Sequence, residues 1–242
     1  MDPHSALKAV VLTAGIGSRL GSHTQERPKP LLDVDGVPLI DHILLNLARA
    51  GFQDVALNLH FRGEMICDHV GDGARFGLRV VYSSEESLLG TAGGVARMSA
   101  LLGGGPLLVH YGDILTDHDL AALWRRHVDV DAAVTMLVHR RVGSNSIVTL
   151  DEQQRVVAFV ERPARPEAVE HWVYSGVAVL SPRSVARIST QGPSDLPRDL
   201  FVPLVAERAV VVAVPLAGYR FAIDSPTRLE EARAALRARA RS

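Results

Sequence analysis

The chain has 242 residues, 47% of them hydrophobic and 22% charged. That is close to the globular average and excludes a disordered or collagen-like chain. Twenty-six basic residues face 27 acidic ones, for a formal net charge of −1 without a block of like charges, which excludes a broad nucleic-acid footprint and a polybasic membrane anchor.

In chain order, Met1 to Ala6 carries Asp2, Pro3 and His4 and lacks a signal-peptide pattern. Lys8 to Ala14 (KAVVLTA) is a short apolar run rich in β-branched residues, the mark of a strand buried on both faces. A Gly/Ser/Pro-rich stretch from Gly15 to Pro30 follows, too polar for core. Pro38 to Ala50 places Leu39, Ile43, Leu47 and Ala50 at helical spacing, with Gly51 as a stop. Asp54 to Leu59 reads as a strand, Glu64 to Val70 as a helix, Leu78 to Tyr82 as a strand and Thr91 to Leu102 as a helix. The single cysteine, Cys67, cannot form an intrachain disulfide; it reads as a buried spectator thiol in a reducing compartment.

Pro106 to Tyr111 reads as a strand, and Asp117 to His127 as a helix capped by Thr116 or Asp117. Ala132 to Val138, Ser146 to Leu150, Val156 to Val160 and Trp172 to Leu180 read as strands, with a hairpin turn at Asp151 to Gln154. Pro182 to Ser189 and Leu196 to Ala206 return to helix. Ala209 to Val214 is a strand, and Thr227 to Arg239 an Arg/Ala-rich helix. No apolar run approaches the roughly 18 residues of a membrane span, so a soluble cytoplasmic protein without membrane or nucleic-acid partners is expected. The strand–helix alternation predicts an α/β fold with a mostly parallel sheet, and the later strands add a small antiparallel part. Without a repeat or a clear linker, residues 1–242 read as one domain.

The strongest local signal is the first loop, where a buried strand runs into Gly15-Ile16-Gly17-Ser18-Arg19-Leu20. Ligands bind at the carboxyl ends of strands in open α/β sheets. Glycines there let backbone N–H groups approach phosphate oxygens, and Arg19 adds a bidentate charge. Leu20 stands where the dinucleotide fingerprint G-x-G-x-x-G needs a third glycine, and no Gly-Lys pair makes a P-loop. Arg27-Pro28-Lys29-Pro30 follows. Two prolines stiffen the backbone around a lysine, in a chain where only Lys8 and Lys29 are lysine and 24 basic residues are arginine. Taken alone, Lys29 also fits a solvated side chain on an extended surface segment.

Together these segments resemble the sugar-1-phosphate nucleotidylyltransferases. That family opens approximately L-A-A-G-x-G-T/S-R-L, then R-P-K-P-L, then G-x-P-L-I. This chain reads Val11 to Leu20, Arg27 to Leu32, and Gly36-Val37-Pro38-Leu39-Ile40. The resemblance continues through Asn58-Leu59-His60, Gly90-Thr91-Ala92-Gly93-Gly94, Gly112-Asp113, Phe159 to Pro163 and Ser175-Gly176, and is loose in the last third.

The resemblance implies a Rossmann-like three-layer sandwich. It implies an enzyme that joins a nucleoside triphosphate and a sugar 1-phosphate into a nucleotide sugar, releasing pyrophosphate, with Mg²⁺ bridging the phosphates. By resemblance, Arg19 and Lys29 are catalytic. Thr13, Ala14, Gly15, Gly17, Ser18, Asn58, Glu85, Gly90 and Thr91 hold the nucleotide. Gly112, Glu161, Arg162, Tyr174, Ser175 and Gly176 face the sugar, and Asp113 and Asp224 bind the metal. A homodimer is compatible with it.

Several positions depart from the family pattern. Its terminal D-I/V-G-T-P reads Ala222-Ile223-Asp224-Ser225-Pro226 here, so the usual aspartate position holds alanine. Asp224, two residues on, could face the same side of a strand; capping of the last helix is its other reading. Arg162 replaces the lysine of F-x-E-K-P, and Tyr174 the asparagine of N-x-G, which implies a changed sugar preference. Glu85-Glu86 lie in the segment that covers the base in related enzymes. A carboxylate can accept guanine N1–H and N2–H together, which leans toward GTP; solvated loop glutamates are the plain alternative. UTP, CTP or dTTP as donor, and phosphocholine as acceptor, are the competing enzyme readings. A catalytically silent nucleotide-sugar-binding regulator is the competing non-enzyme one. Leu20 and the Pro-Lys-Pro segment disfavour a dinucleotide-dependent oxidoreductase.

Overall fold

The computed structural model describes residues 6–163 and 169–239; the leader reading of the first residues falls largely outside them. In chain order the elements are β1 (Leu7–Leu12), β2 (Asp33–Val34), β3 (Val37–Pro38), α1 (Leu39–Arg49), β4 (Phe52–Leu59), α2 (Gly63–Val70), β5 (Arg79–Ser84), α3 (Gly90–Leu101), β6 (Leu107–Tyr111), β7 (Ile114–Thr116), α4 (Leu120–Val130), β8 (Val134–Val142), β9 (Ser146–Leu150), β10 (Val156–Glu161), β11 (Glu170–Leu180), α5 (Pro182–Val185), α6 (Val202–Ala206), β12 (Val211–Pro215), β13 (Arg220–Ala222) and α7 (Pro226–Arg239).

One nine-stranded sheet runs in the order β10-β9-β11-β6-β1-β4-β5, with β8 beside β11 and β12 beside β8. The pairs β1/β4, β1/β6, β4/β5 and β8/β12 are parallel. β11 runs antiparallel to β6, β8 and β9, and β9 to β10. The expected α/β fold with a mixed sheet is therefore present. Alternate residues of the central strands feed two cores. Ala9, Val11, Val55 and Leu57 pack with Leu39, Ile43, Leu120 and Leu229 from the helices of one side. Val10, Ala56 and Val109 pack with Val95, Met98, Leu200 and Leu204 on the other. Full burial of β1 on both faces explains its unbroken apolar run.

Some boundaries shift for local reasons. The helix expected over Asp117 to His127 spans Leu120–Val130, and its cap is Asp119, whose carboxylate accepts the Ala122 N–H at 3.0 Å. Thr116 instead ends β7 and Asp117 accepts the Tyr219 N–H at 2.7 Å. The helix expected over Pro182 to Ser189 is a single turn, Pro182–Val185. Leu196–Phe201 is a π-helical turn leading into α6; Pro203 has no N–H to give to the carbonyl four residues back, which breaks the α register there. The stretch from Gly15 to Pro30 is not wholly surface: Leu20, Thr24, Pro28 and Pro30 are buried. The Asp151 to Gln154 turn does join the antiparallel pair β9/β10, with Gln154 at a positive φ of 62°. Cys67 is half-buried, and burial pushes its thiol pKa up, as suits an unreactive sulfur.

Candidate active site

Two adjoining cavities open at the carboxyl ends of β1, β4 and β6, and Thr91, Tyr111, Asp113 and Asp195 line both. The first measures about 260 Å³ and is walled by the end of β1, the first loop, Asn58 and the start of α3. The second, about 400 Å³, is walled by the ends of β8 and β10, the start of β9, the middle of β11 and β13.

The first cavity is organised around Asn58. Its Oδ1 accepts the Thr13 N–H at 2.7 Å and the Ala14 N–H at 3.3 Å, and its Nδ2 donates to Glu85 Oε1 at 2.8 Å. The Thr13 hydroxyl donates to the Asn58 carbonyl. Glu85 Oε2 accepts the Leu89 N–H at 3.0 Å, just ahead of α3. These bonds fix the end of β1 relative to β4 and α3, and they use the backbone donors of Thr13 and Ala14 internally. The Gly15, Ile16, Gly17 and Ser18 N–H groups meet no acceptor among the described residues, so the first loop offers donors to a ligand. Gly17 takes a φ of 69°, and a Cβ there would stand 3.2 Å from Thr24 Cγ2 and 3.3 Å from Lys29 Cβ. Glycine thus lets the loop close over the lysine segment.

Lys29 enters a short 3₁₀ turn, Lys29–Leu31, behind Pro28. Its side chain is only 12% exposed, and its Nζ lies 2.8 Å from Asp113 Oδ2. It is therefore not the solvated lysine of an extended segment. Gly112, just before Asp113, passes so close to β1 that a Cβ would strike the Leu12 carbonyl oxygen, and this approach carries Asp113 to the cavity floor. The Asp113 carbonyl accepts the Ile223 N–H at 2.8 Å, and β7 pairs with β13 through Ile114 and Ala222. Both aspartates consequently reach the second cavity. Asp224 does not cap α7: Ser225 Oγ accepts the Arg228 N–H at 3.3 Å. The Asp224 carboxylate pairs with Arg228 at 2.9 Å and approaches Arg19 at 3.8 Å.

Of the residues singled out from sequence, Thr13, Ala14, Gly15, Asn58, Glu85, Gly90, Thr91, Gly112, Lys29 and Asp113 line the first cavity. Arg19, Glu161, Tyr174, Gly176 and Asp224, with Thr91 and Asp113 again, line the second. Gly17 and Ser18 lie on the loop outside the cavity walls. Ser175 is fully buried instead, its hydroxyl 2.9 Å from His139 Nδ1 and its carbonyl accepting Arg220 Nε at 2.9 Å; neighbouring residues on a strand face opposite ways, and Tyr174 and Gly176 take the cavity side. Arg162 also lies off the cavity. It sits at a positive φ of 51°, 78% exposed, with its Nε 3.7 Å from Glu161. Glu161 itself is on the wall, where burial first and Asp195 second push its pKa up against the pull of Arg162 and Arg198.

The structure adds residues the sequence reading passed over: Asp195, Arg141, Arg220 and Arg228 line the second cavity. Arg220 precedes Ala222 by two on β13, a spacing that puts both on one face and could have flagged it. The Arg220 pKa is lowered to about 10, chiefly by burial, with Arg141 and Arg228 acting in the same direction and Asp113 and Asp224 opposing. The Tyr174 hydroxyl is buried on the same wall without a partner among the described residues. Two carboxylates and open space for substrate phosphates are a donor set a hard divalent cation accepts, although no cluster of three metal-ligating side chains occurs among the described residues. No helix there is long and apolar enough to cross a membrane.

A model of the nucleotidyl transferase family matches residues 8–217. A mannose-1-phosphate guanylyltransferase of Mycobacterium tuberculosis is 35% identical over 202 residues, which are 82% of this chain and 55% of that protein. An N-acetylmuramate alpha-1-phosphate uridylyltransferase of Neisseria meningitidis is 46% identical over 120 residues, 49% of this chain and 52% of that one. The chain thus spans about half the length of these relatives. Among solved structures, HddC from Yersinia pseudotuberculosis complexed with GMP-PN superposes with a TM-score of 0.79 at 21% identity, covering 95% of this chain and 99% of that one. At that identity the likeness speaks for the fold.

Proposed function

Because the chain belongs to the nucleotidyl transferase family, of which sugar-1-phosphate nucleotidylyltransferases are members, we propose that it transfers a nucleotidyl group from a nucleoside triphosphate to a sugar 1-phosphate. The observation that carries this reading is the Lys29–Asp113 contact on the wall between the two cavities. One cavity offers a phosphate-binding loop and the other a polar bowl with four arginines, so two phosphorylated substrates can meet at one charged pair.

In this reaction an oxygen of the acceptor phosphate attacks the α-phosphorus. A new P–O bond forms, the bond to pyrophosphate breaks, and its electron pair leaves on the bridging oxygen. The nucleophile is already ionised at neutral pH, so no base is needed and the histidines have no proton to take. What must be overcome is repulsion between anions and the charge that develops on the leaving group. The free N–H groups of Gly15 to Ser18 suit the triphosphate, and the Arg19 guanidinium, on the wall of the second cavity, suits the phosphate charge where the two substrates meet. The Lys29 ammonium, compact and held by Pro28 and Asp113, suits the reacting phosphate. Asp113 and Asp224 would hold Mg²⁺, which when bound neutralises phosphate charge. Glu161 and Tyr174 face the sugar side, where a half-buried carboxylate can accept from hydroxyls.

For the base we propose guanine, since Glu85 lines the first cavity and each of its oxygens keeps a second lone pair. A second reading, uridine, is favoured by the engagement of both Glu85 oxygens by Asn58 and Leu89, with the residue only 5% exposed. The 46% identity with a uridylyltransferase over about half the chain supports it too.

The test is pyrophosphate release from each of the four NTPs plus dTTP, with Mg²⁺, against hexose 1-phosphates, heptose 1-phosphates and phosphocholine. Release with GTP and a sugar 1-phosphate is expected. Release with UTP alone selects the second reading. Release only with phosphocholine removes the sugar. No release with any pair, from protein that still binds nucleotide sugars, overturns the enzyme and leaves a regulator.

A further inference from the structure

Arg162, the sequence counterpart of a phosphate-binding lysine, is 78% exposed and does not line the second cavity, which directs attention to the cations that do. Arg141, Arg220 and Arg228 converge on the second cavity from β8, β13 and α7. Their charges are not equally spent. Arg228 is paired with Asp224 at 2.9 Å. Arg220 gives only its Nε, to the Ser175 carbonyl at 2.9 Å, which leaves its terminal nitrogens for a ligand. Arg141 makes no side-chain ion pair among the described residues, and it is lowered in pKa by burial and by Arg228. Crowding cations on a partly desolvated wall is costly unless an anion joins them.

A second feature explains why Arg220 is free. On β13, Arg220 and Ala222 share a face and both line the cavity. A carboxylate at 222, where the resembling family carries one, would lie beside the Arg220 guanidinium and neutralise it. Here the carboxylate has moved to Asp224, where Arg228 and Arg19 take it up. Alanine at 222 and the carboxylate at 224 thus leave the Arg220 fork without an ion-pair partner on its own strand, beside Asp113, whose charge acts directly on it.

We propose that Arg220, assisted by Arg141, forms the subsite that grips the phosphate monoester dianion of the acceptor, in place of Arg162, and that Ala222 keeps this subsite open. This rests on the nucleotidyl-transfer reading for the identity of the acceptor, but not for the presence of the anion subsite. A guanidinium fork suits two oxygens of one phosphate, and its position by Asp113 would leave the third oxygen directed at the first cavity.

The experiment is calorimetric titration of the intact protein with inorganic phosphate at low ionic strength, on the wild type, Arg220→Gln, Arg220→Lys, Arg141→Gln, Ala222→Asp and Lys29→Ala. Arg220→Gln and Ala222→Asp are each expected to weaken phosphate binding at least tenfold. Arg220→Lys should recover part of that loss, and Arg141→Gln should give a smaller loss. Absence of phosphate binding to the wild type overturns the subsite. So does affinity that follows Lys29→Ala while Arg220→Gln and Ala222→Asp match the wild type. Should Arg220→Gln fail to fold for want of its bond to Ser175, Ala222→Asp and Arg141→Gln decide. A wild type that binds phosphate through Arg220 yet releases no pyrophosphate with any substrate pair overturns the proposed function and leaves the subsite standing.

Discussion

Lys29 Nζ donates to Asp113 Oδ2 across 2.8 Å, joining two residues 84 positions apart, the first on the first cavity and the second on both. The pair is mostly shielded, with side-chain exposures of 12% and 27%, so the ammonium is oriented before any phosphate arrives. A charge already in place needs little reorganisation when the transition state forms. Lys29→Ala is therefore expected to lower kcat at least tenfold, with circular dichroism and melting temperature close to wild type. Wild-type turnover in that variant would remove Lys29 from the chemistry. Lys29→Arg tests compactness separately: the planar fork is larger than the ammonium it replaces, and recovery of less than full turnover is expected.

Asp224 and Ser225 divide two roles that the sequence left on Asp224 alone. Ser225 accepts the Arg228 N–H and so caps α7, and Ser225→Ala should cost about 0.5–2 kcal/mol of stability without moving substrate kinetics. Asp224→Asn should instead leave stability nearly unchanged and shift the Mg²⁺ titration of pyrophosphate release to higher concentration. An unaltered titration would separate Asp224 from the metal.

The parallel half of the fold was legible because burial on both faces writes continuous apolar runs, as in β1, while α1 carries its core residues at helical spacing. Helix ends were less legible. Thr116, Asp117 and Asp119 are all capping types, and only the pairing of β7 with β13 decides that the first two are occupied elsewhere. The family resemblance names Lys29, Asp113 and Asn58, and the structure brings all three to the first cavity: Asn58 and Asp113 stand at the carboxyl ends of β4 and β6, and Lys29 reaches them from its 3₁₀ turn. Arg220 and Arg141 carry no motif, and they lie on different sheets, β13 paired with β7 and β8 of the main sheet. Their meeting depends on long-range register. Asp119→Ala should lower stability by about 1 kcal/mol, read by denaturant midpoint, whereas removal of a mere solvated carboxylate would change nothing.

Three histidines outside the reaction are expected to weaken the fold at acid pH. His110, His127 and His139 are each held down at about 4, chiefly by burial, against about 6.5 in an unfolded chain. Between those values the unfolded state binds protons that the folded state refuses, so stability rises with pH across that window and falls as the pH drops from about 6.5 toward 4. Melting temperature should decline through this range before the carboxylates titrate. His127 is the cleanest probe, since its Nδ1 meets only the Thr135 hydroxyl, at 3.0 Å, away from both cavities. His127→Gln should flatten the acid limb of the melting curve while kinetics at pH 7.5 stay near wild type. An unchanged limb would show that this ring does not contribute to it.

Asn58 offers the most direct separation of the two substrate sites. Its amide ties Thr13 and Ala14 to Glu85, and Gly94 lies close enough behind that a Cβ there would stand 3.0 Å from Asn58 Nδ2. Asn58→Ala leaves the Thr13 N–H and Glu85 Oε1 without these partners in a buried place, where each such loss costs about 1–3 kcal/mol. The end of β1 and the start of α3 would then be free to part; the end of β1 borders the first cavity alone, and α3 meets the first through Gly90 and both through Thr91. A lower melting temperature together with a KM for nucleoside triphosphate raised at least fivefold is expected. The KM for the acceptor should stay within twofold, because the Arg220 wall is built from β13 and does not touch this network. Equal rises in both KM values would mean that the cavities open as one unit, and would withdraw the assignment of one substrate to each.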